Sequence, residues 1–182
     1  MKKKKIIRLI VLIFMVIIIT GGIAFGIYTQ DYYRATVNEE SYAVTKEGAL
    51  TILYPQEPSE VGIIFYPGGK VEETAYLPLL KQLSDRGITC VLVKMPFHLA
   101  VFGVDRADEV LENPLLDDVK EWYIGGHSLG GAMASSYVEK HPEELSGLIL
   151  LAAYPVNSMS IPMIAIYGSE DGVLNRDKLT GI

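Results

Sequence analysis

Trp122-Tyr123-Ile124-Gly125-Gly126-His127-Ser128-Leu129-Gly130-Gly131-Ala132-Met133-Ala134-Ser135 carries more information than any other part of this 182-residue chain. Trp122 to Ile124 is a short apolar run of the kind a buried strand shows, and Ala132 to Lys140 predicts a helix packed close to a sheet. Between them Gly126-His127-Ser128-Leu129-Gly130 has the G-x-S-x-G spacing of a nucleophile elbow. In such a turn the residues two before and two after the serine must be nearly free of side chain. The serine hydroxyl is lifted clear of the sheet edge, and the following helix points its N-terminus at the reacting group. A glycine-rich structural turn would share the composition, but not the strand before it and the helix after it.

Outward from this run, strands and helices alternate, the pattern of a parallel sheet with crossovers. Val61–Tyr66, Ile88–Lys94, Gly147–Ala153 and Pro162–Tyr167 read as buried strands. Helical spacing covers Glu73 to Arg86, with Leu77, Leu80 and Leu83 on one face and Gly87 as the stop. A short helix is expected over Val104–Leu111, before Asn113-Pro114. Tyr42–Thr45 and Leu50–Tyr54, flanking Lys46-Glu47-Gly48-Ala49, predict an N-terminal hairpin. The expected fold is therefore α/β, an open and mainly parallel sheet with an antiparallel hairpin at its start.

The front of the chain has a different character. Lys2 to Lys5 precede Ile6–Tyr28, which is apolar apart from Arg8, Thr20 and glycines. A bilayer core needs about 20 helical residues. The basic flank is expected to stay in the cytoplasm, so the remainder would be carried across and held at the cell membrane by a single span. A cleaved signal peptide, giving a secreted protein, is the competing reading. No clean small-x-small cleavage site stands in Gly22–Tyr28, which favours an uncleaved anchor. The expected organisation is residues 1–28 as lysine cluster and anchor, 29–40 as a polar juxtamembrane spacer, and 41–182 as the α/β domain.

Beyond Arg8 the chain holds 11 basic and 22 acidic residues, a balance of −11. Nucleic acid and anionic lipid surfaces would repel such a domain. Cys90 is the only cysteine, so no internal disulfide is possible, and its place in Ile88–Val93 suits packing better than chemistry. No metal-ligand cluster stands out. Gly68-Gly69-Lys70 lacks the spacing of a nucleotide loop, so neither metal nor organic cofactor is expected.

The elbow Gly125–Gly131 resembles that of the α/β-hydrolases, and in particular their compact, dienelactone-hydrolase-like and carboxylesterase-like branch. Phe65-Tyr66-Pro67-Gly68-Gly69-Lys70, Val93-Lys94-Met95-Pro96-Phe97, Leu150-Leu151-Ala152-Ala153-Tyr154-Pro155 and Tyr167-Gly168-Ser169-Glu170-Asp171-Gly172 extend the likeness. It covers about residues 41 to 177 in family order. The resemblance implies a serine hydrolase acting on an ester or related acyl bond of a small molecule through an acyl-Ser128 intermediate. The oxyanion would be held by the Leu129 backbone N–H and by the loop Gly68, Gly69 and Lys70. The family's acid falls on Asp171, with the adjacent Glu170 as rival and an ordinary Asp-Gly turn as the plainer alternative.

The family's chain order Ser, Asp, His calls for a histidine after Asp171, and residues 172–182 contain none. His127 lies inside the elbow and is expected to pack beneath it. His141 ends the following helix, about 20 Å away along its axis. His98 follows a strand's carboxyl end, where open α/β sheets place ligands, and could line the cleft or serve as a displaced base. The expectation is a chain truncated before its catalytic histidine. The alternative is a short, non-catalytic surface protein of the same fold that binds a ligand or partner.

Overall fold

Helix α1 (Lys2–Gln30) opens the chain in the computed structural model, which describes residues 2–175. Its 29 residues extend for about 44 Å. Mean hydropathy reaches 2.8 in its most apolar window, so α1 is long and apolar enough to cross a membrane, a property signal sequences share. Thr20, inside the run, donates its hydroxyl to the Val16 and Ile17 carbonyls at 2.8 and 3.1 Å. The chain divides into two units, Met1–Tyr32 and Tyr33–Ile182.

The second unit is built on one seven-stranded sheet. Its strands are β1 (Thr45–Glu47), β2 (Leu50–Leu53), β3 (Val61–Tyr66), β4 (Thr89–Val93), β5 (Glu121–His127), β6 (Gly147–Leu151) and β7 (Met163–Ile166), in the order β1-β2-β4-β3-β5-β6-β7. The two pairings that involve β2 are antiparallel and all others parallel. The expected hairpin is present, with its first strand shifted forward. Lys46 and Glu47 join β1, because Gly48, at φ 57°, makes the reversal.

Alternate residues of the strands feed two cores. Ile64, Tyr66, Val91, Val93, Ile124, Leu148 and Leu150 lie on one face, where helix α4 (Leu129–Lys140) contributes Ala134, Tyr137 and Val138. Ile63, Phe65, Cys90 and Leu92 lie on the other, under Leu77 and Leu80 of helix α2 (Leu77–Ser84). The helix expected over Glu73–Arg86 thus exists in two pieces. A 3-10 turn, Glu73–Tyr76, leads into α2, and Pro78 sits in the first turn, where its missing N–H costs nothing. Likewise Val104–Ala107 is a 3-10 turn continued by the short helix α3 (Asp108–Leu111). Asn175–Leu179 reads in the sequence as the start of a further helix, and beyond Asn175 it lies outside the described residues.

The segment expected as a spacer is laid along the domain from Tyr33 onward, where Tyr33 forms a parallel bridge with Val71. Asn38 caps the turn Glu39–Ser41 by accepting from the Glu40 N–H at 3.2 Å, and Val37 packs against the α2-side core.

Candidate active site

From β3 the chain crosses to β4 on one side and, after β4, to β5 on the other, so the sheet order reverses at β3. Ligand crevices of open α/β sheets form outside the carboxyl ends of strands at such a switch point. Ser128 follows the last residue of β5 there, with φ 51° and ψ −120°, a conformation an L-residue adopts only under constraint. Its N–H donates to the Leu151 carbonyl at 2.9 Å, and its own carbonyl accepts the Ala132 N–H at 3.1 Å. The side chain is exposed at the N-terminus of the twelve-residue α4.

The glycines around Ser128 are required by contact. A Cβ at Gly126 would lie 2.5 Å from the Gly130 carbonyl carbon, and one at Gly130 would lie 2.3 Å from the carbonyl oxygens of both Tyr66 and Pro67. Close approach of α4 to the end of β3 therefore depends on bare backbone.

Among the described residues, the non-glycine positions at positive φ are Lys70, Phe97, His98, Ser128 and Ala152. They follow the carboxyl ends of β3, β4, β5 and β6, so the strain is gathered along one rim of the sheet. A cleft of about 500 Å³ opens at this rim, lined by His127, Ser128, Leu129, Ala152, Tyr154 and Asp171 among others.

In the loop after β3, the Gly68 N–H donates to the Tyr76 hydroxyl at 3.0 Å and the Lys70 N–H to the His98 carbonyl at 2.7 Å. Gly69 lies between them, and a Cβ there would meet Leu129 Cδ2 at 2.9 Å, so the loop and the elbow touch.

Asp171 is half-buried and borders the cleft, whereas Glu170 is exposed. Asp171 Oδ1 also accepts from the Val173 and Leu174 N–H groups at 2.9 and 3.0 Å, the local turn its Asp-Gly sequence allows.

The three histidines occupy unlike settings. His98, expected at the cleft, turns its ring to Glu73, with Nδ1 3.9 Å from Oε2, and reaches the site through its carbonyl on Lys70. Positive φ at Phe97 and His98 redirects the chain there. His141 closes α4 at its far end, stacked on Tyr137 with centroids 4.5 Å apart and Nδ1 3.4 Å from Glu144 Oε1.

His127 has Nδ1 2.9 Å from the Tyr76 hydroxyl. With the Gly68 N–H donating to it, the Tyr76 hydroxyl is free to donate to Nδ1, and in that arrangement the neutral ring carries its proton on Nε2. Burial lowers the His127 pKa, and the Asp171 carboxylate pulls it part of the way back. Besides packing beneath the elbow, His127 therefore forms part of the cleft wall.

Tyr76 is the site residue that sequence reasoning missed. It sits in a helical pattern whose leucines explain themselves by packing, and its role appears only when β3, the following turn and β5 converge.

Residues 62–181 match the profile of the Alpha/beta hydrolase family, well over half of the chain. No curated protein matches it. Among solved structures the chain is similar to TT1662 from Thermus thermophilus, at 13% identity and a TM-score of 0.62, with 76% of this chain and 80% of that one covered. It is similar also to a thermostable esterase at 15% identity and a TM-score of 0.54, covering 75% of this chain and 48% of the esterase. An epoxide hydrolase from Vigna radiata aligns at 14% identity and a TM-score of 0.51, covering 65% of this chain and 41% of that one. The chain thus spans less than half the length of the esterase and of the epoxide hydrolase. At these identities the likeness is one of fold, and an esterase and an epoxide hydrolase on a common frame show that chemistry must be argued from the site. Sheet order, elbow and profile agree: the chain belongs to the alpha/beta hydrolase family.

Proposed function

We propose that this domain is a serine hydrolase for an ester or related acyl bond of a small molecule, with Ser128 as nucleophile. The observation that carries the reading is Ser128 itself, exposed in a strained conformation at the N-terminus of α4, where the side chain of the next residue, Leu129, faces Gly69. Ser128 Oγ attacks the acyl carbon and loses its proton to a base. The carbonyl oxygen becomes an oxyanion, and the leaving alcohol takes that proton as its bond to the acyl carbon breaks. Water then releases the acyl group from Ser128.

The oxyanion donors in this reading are the N–H groups of Leu129 and Gly69. Leu129 opens α4, where the helix's own bonding leaves N–H groups unused and its dipole is positive. In the loop, the Gly68 and Lys70 N–H groups are already engaged by Tyr76 and His98, which singles out Gly69 from the three candidates.

Asp171 is the acid that orients the base. His127 is not the base of this reading, since its Nδ1 lies against the Tyr76 hydroxyl. His98 Nδ1 lies 3.9 Å from Glu73 Oε2 and His141 Nδ1 3.4 Å from Glu144 Oε1, and neither residue lines the cleft. A histidine supplied beside Asp171, beyond the three in these 182 residues, completes the reading. Without it, oxyanion stabilisation and binding would retain about 10³–10⁴-fold catalysis. In the same reading α1 holds the domain on the extracytoplasmic side, its lysines remaining in the cytoplasm. A membrane-extracted chain would then begin at Met1, and one beginning near Tyr28 would instead be a secreted product.

The test is labelling with a fluorophosphonate, with and without free imidazole as a substitute base, against Ser128→Ala. Labelling that Ser128→Ala abolishes and imidazole accelerates is the expected result. A folded chain that never labels would favour the second reading, a ligand- or partner-binding surface protein, which the settings of the three histidines also support.

A further inference from the structure

The oxyanion loop is held from a direction no motif announces. Lys70 has φ 56° and is gripped on both sides: its N–H donates to His98, and its carbonyl accepts the Tyr33 N–H at 2.8 Å. The Tyr33 carbonyl in turn accepts the Glu72 N–H at 2.8 Å, and the Glu72 carboxylate accepts the Ala35 N–H at 2.7 Å. Three hydrogen bonds, one to a charged acceptor, thus bind a three-residue segment to the loop's outgoing limb. The Tyr33 side chain is 79% exposed, so its contribution is made by backbone. Two residues beyond Ala35, Val37 packs into the α2-side core and secures the segment's far end.

We propose that Tyr33–Ala35 is a positioning strap that keeps Lys70 in its left-handed conformation, and thereby holds Gly69 against the Leu129 side chain. This rests on the reading of Gly69 as an oxyanion donor. Left-handed backbone is unfavourable for lysine, so the residue persists there only while its surroundings over-determine it. His98 grips the N–H side of Lys70, and the strap grips the carbonyl side. Releasing the strap lets the Lys70–Val71 peptide turn and carries Gly69 away from the elbow. A segment that composition marks as a polar spacer is then part of the catalytic architecture.

The test uses the full chain in detergent micelles, with Glu72→Ala removing the acceptor for Ala35 and Glu72→Gln restoring a neutral one. Amide exchange is followed over 33–37 and 67–72, with β6 as internal reference, alongside the rate of Ser128 labelling in imidazole. In Glu72→Ala, exchange in both segments is expected to quicken about tenfold and labelling to slow about tenfold, with Glu72→Gln recovering most of each. Faster exchange over 33–37 with 67–72 and labelling unchanged would overturn the proposal, as would no change in either segment. If β6 quickens too, Ala35→Pro, which removes the donor and leaves Glu72 intact, decides by the same criteria. If neither parent nor variant labels, the serine hydrolase reading fails, and exchange over 67–72 alone decides whether the strap holds the loop.

Discussion

Gly130→Ala tests the contact on which the site depends. The added Cβ would stand 2.3 Å from two carbonyl oxygens, those of Tyr66 and Pro67, where 3.0 Å is already a limit that real Cβ atoms rarely pass. Both are backbone atoms at the end of a central strand, so no side chain can swing aside. The gap between α4 and the end of β3 must open by roughly 0.7 Å. Overpacking a rigid core costs about 1–3 kcal/mol, and rigid backbone places this case at the upper end. For a domain of this size, about 3 kcal/mol corresponds to a fall in Tm of about 6–12 °C. Pro67 leads into the Gly68–Lys70 loop, which the proposed function uses to hold the oxyanion, and in that reading a displacement near 1 Å costs about a hundredfold in rate. Thermal melting and Ser128 labelling of the full chain read the two effects. Gly168→Ala, whose Cβ would meet nothing nearer than 3.9 Å, is the control and is expected to change neither. A Gly130→Ala chain that melts within about 2 °C of the parent would refute the argument that bare backbone contact holds elbow and loop together.

Three further outcomes are expected. Tyr76→Phe leaves the Gly68 N–H and His127 Nδ1 without their shared partner, and should cost about 1–3 kcal/mol by urea unfolding while moving the His127 imidazole proton shifts. His127 is held neutral below the ordinary histidine pKa of 6.5, so the unfolded chain binds its proton first as pH falls. Stability should therefore decline from pH 6.5 down to the depressed folded value, and His127→Asn should flatten that part of a Tm–pH profile. Burial pushes the Cys90 thiol up to about 12, and the residue is fully buried. Iodoacetamide should accordingly leave native Cys90 unmodified and alkylate it at the rate of unfolding; rapid native alkylation would contradict that packing.

Much of the frame could be read from the chain because it is written in local patterns. Val61–Tyr66 is continuously apolar as a strand buried on both faces must be, and Leu129–Lys140 follows directly on the elbow. Boundaries moved where local geometry competed, as at Gly48, where the turn took Lys46 and Glu47 into β1, and at Tyr76, where a 3-10 turn gives way to α2. The position of His98 after a strand end is legible, but the left-handed backbone at Phe97 and His98 and the approach of its ring to Glu73 are not.

What the sequence by itself determined is the α/β order, the elbow around Ser128 and the apolar N-terminal helix, because each depends on residue type at short spacing. Tertiary structure alone decided which N–H groups of the Gly68–Lys70 loop are engaged, that Tyr76 joins Gly68 to His127, and that Tyr33–Ala35 lies on Lys70 and Glu72. Those contacts join residues distant along the chain, several of them through backbone atoms common to every amino acid. Such atoms leave no mark in composition or periodicity, so their pairing is settled only when the sheet brings the strand ends together.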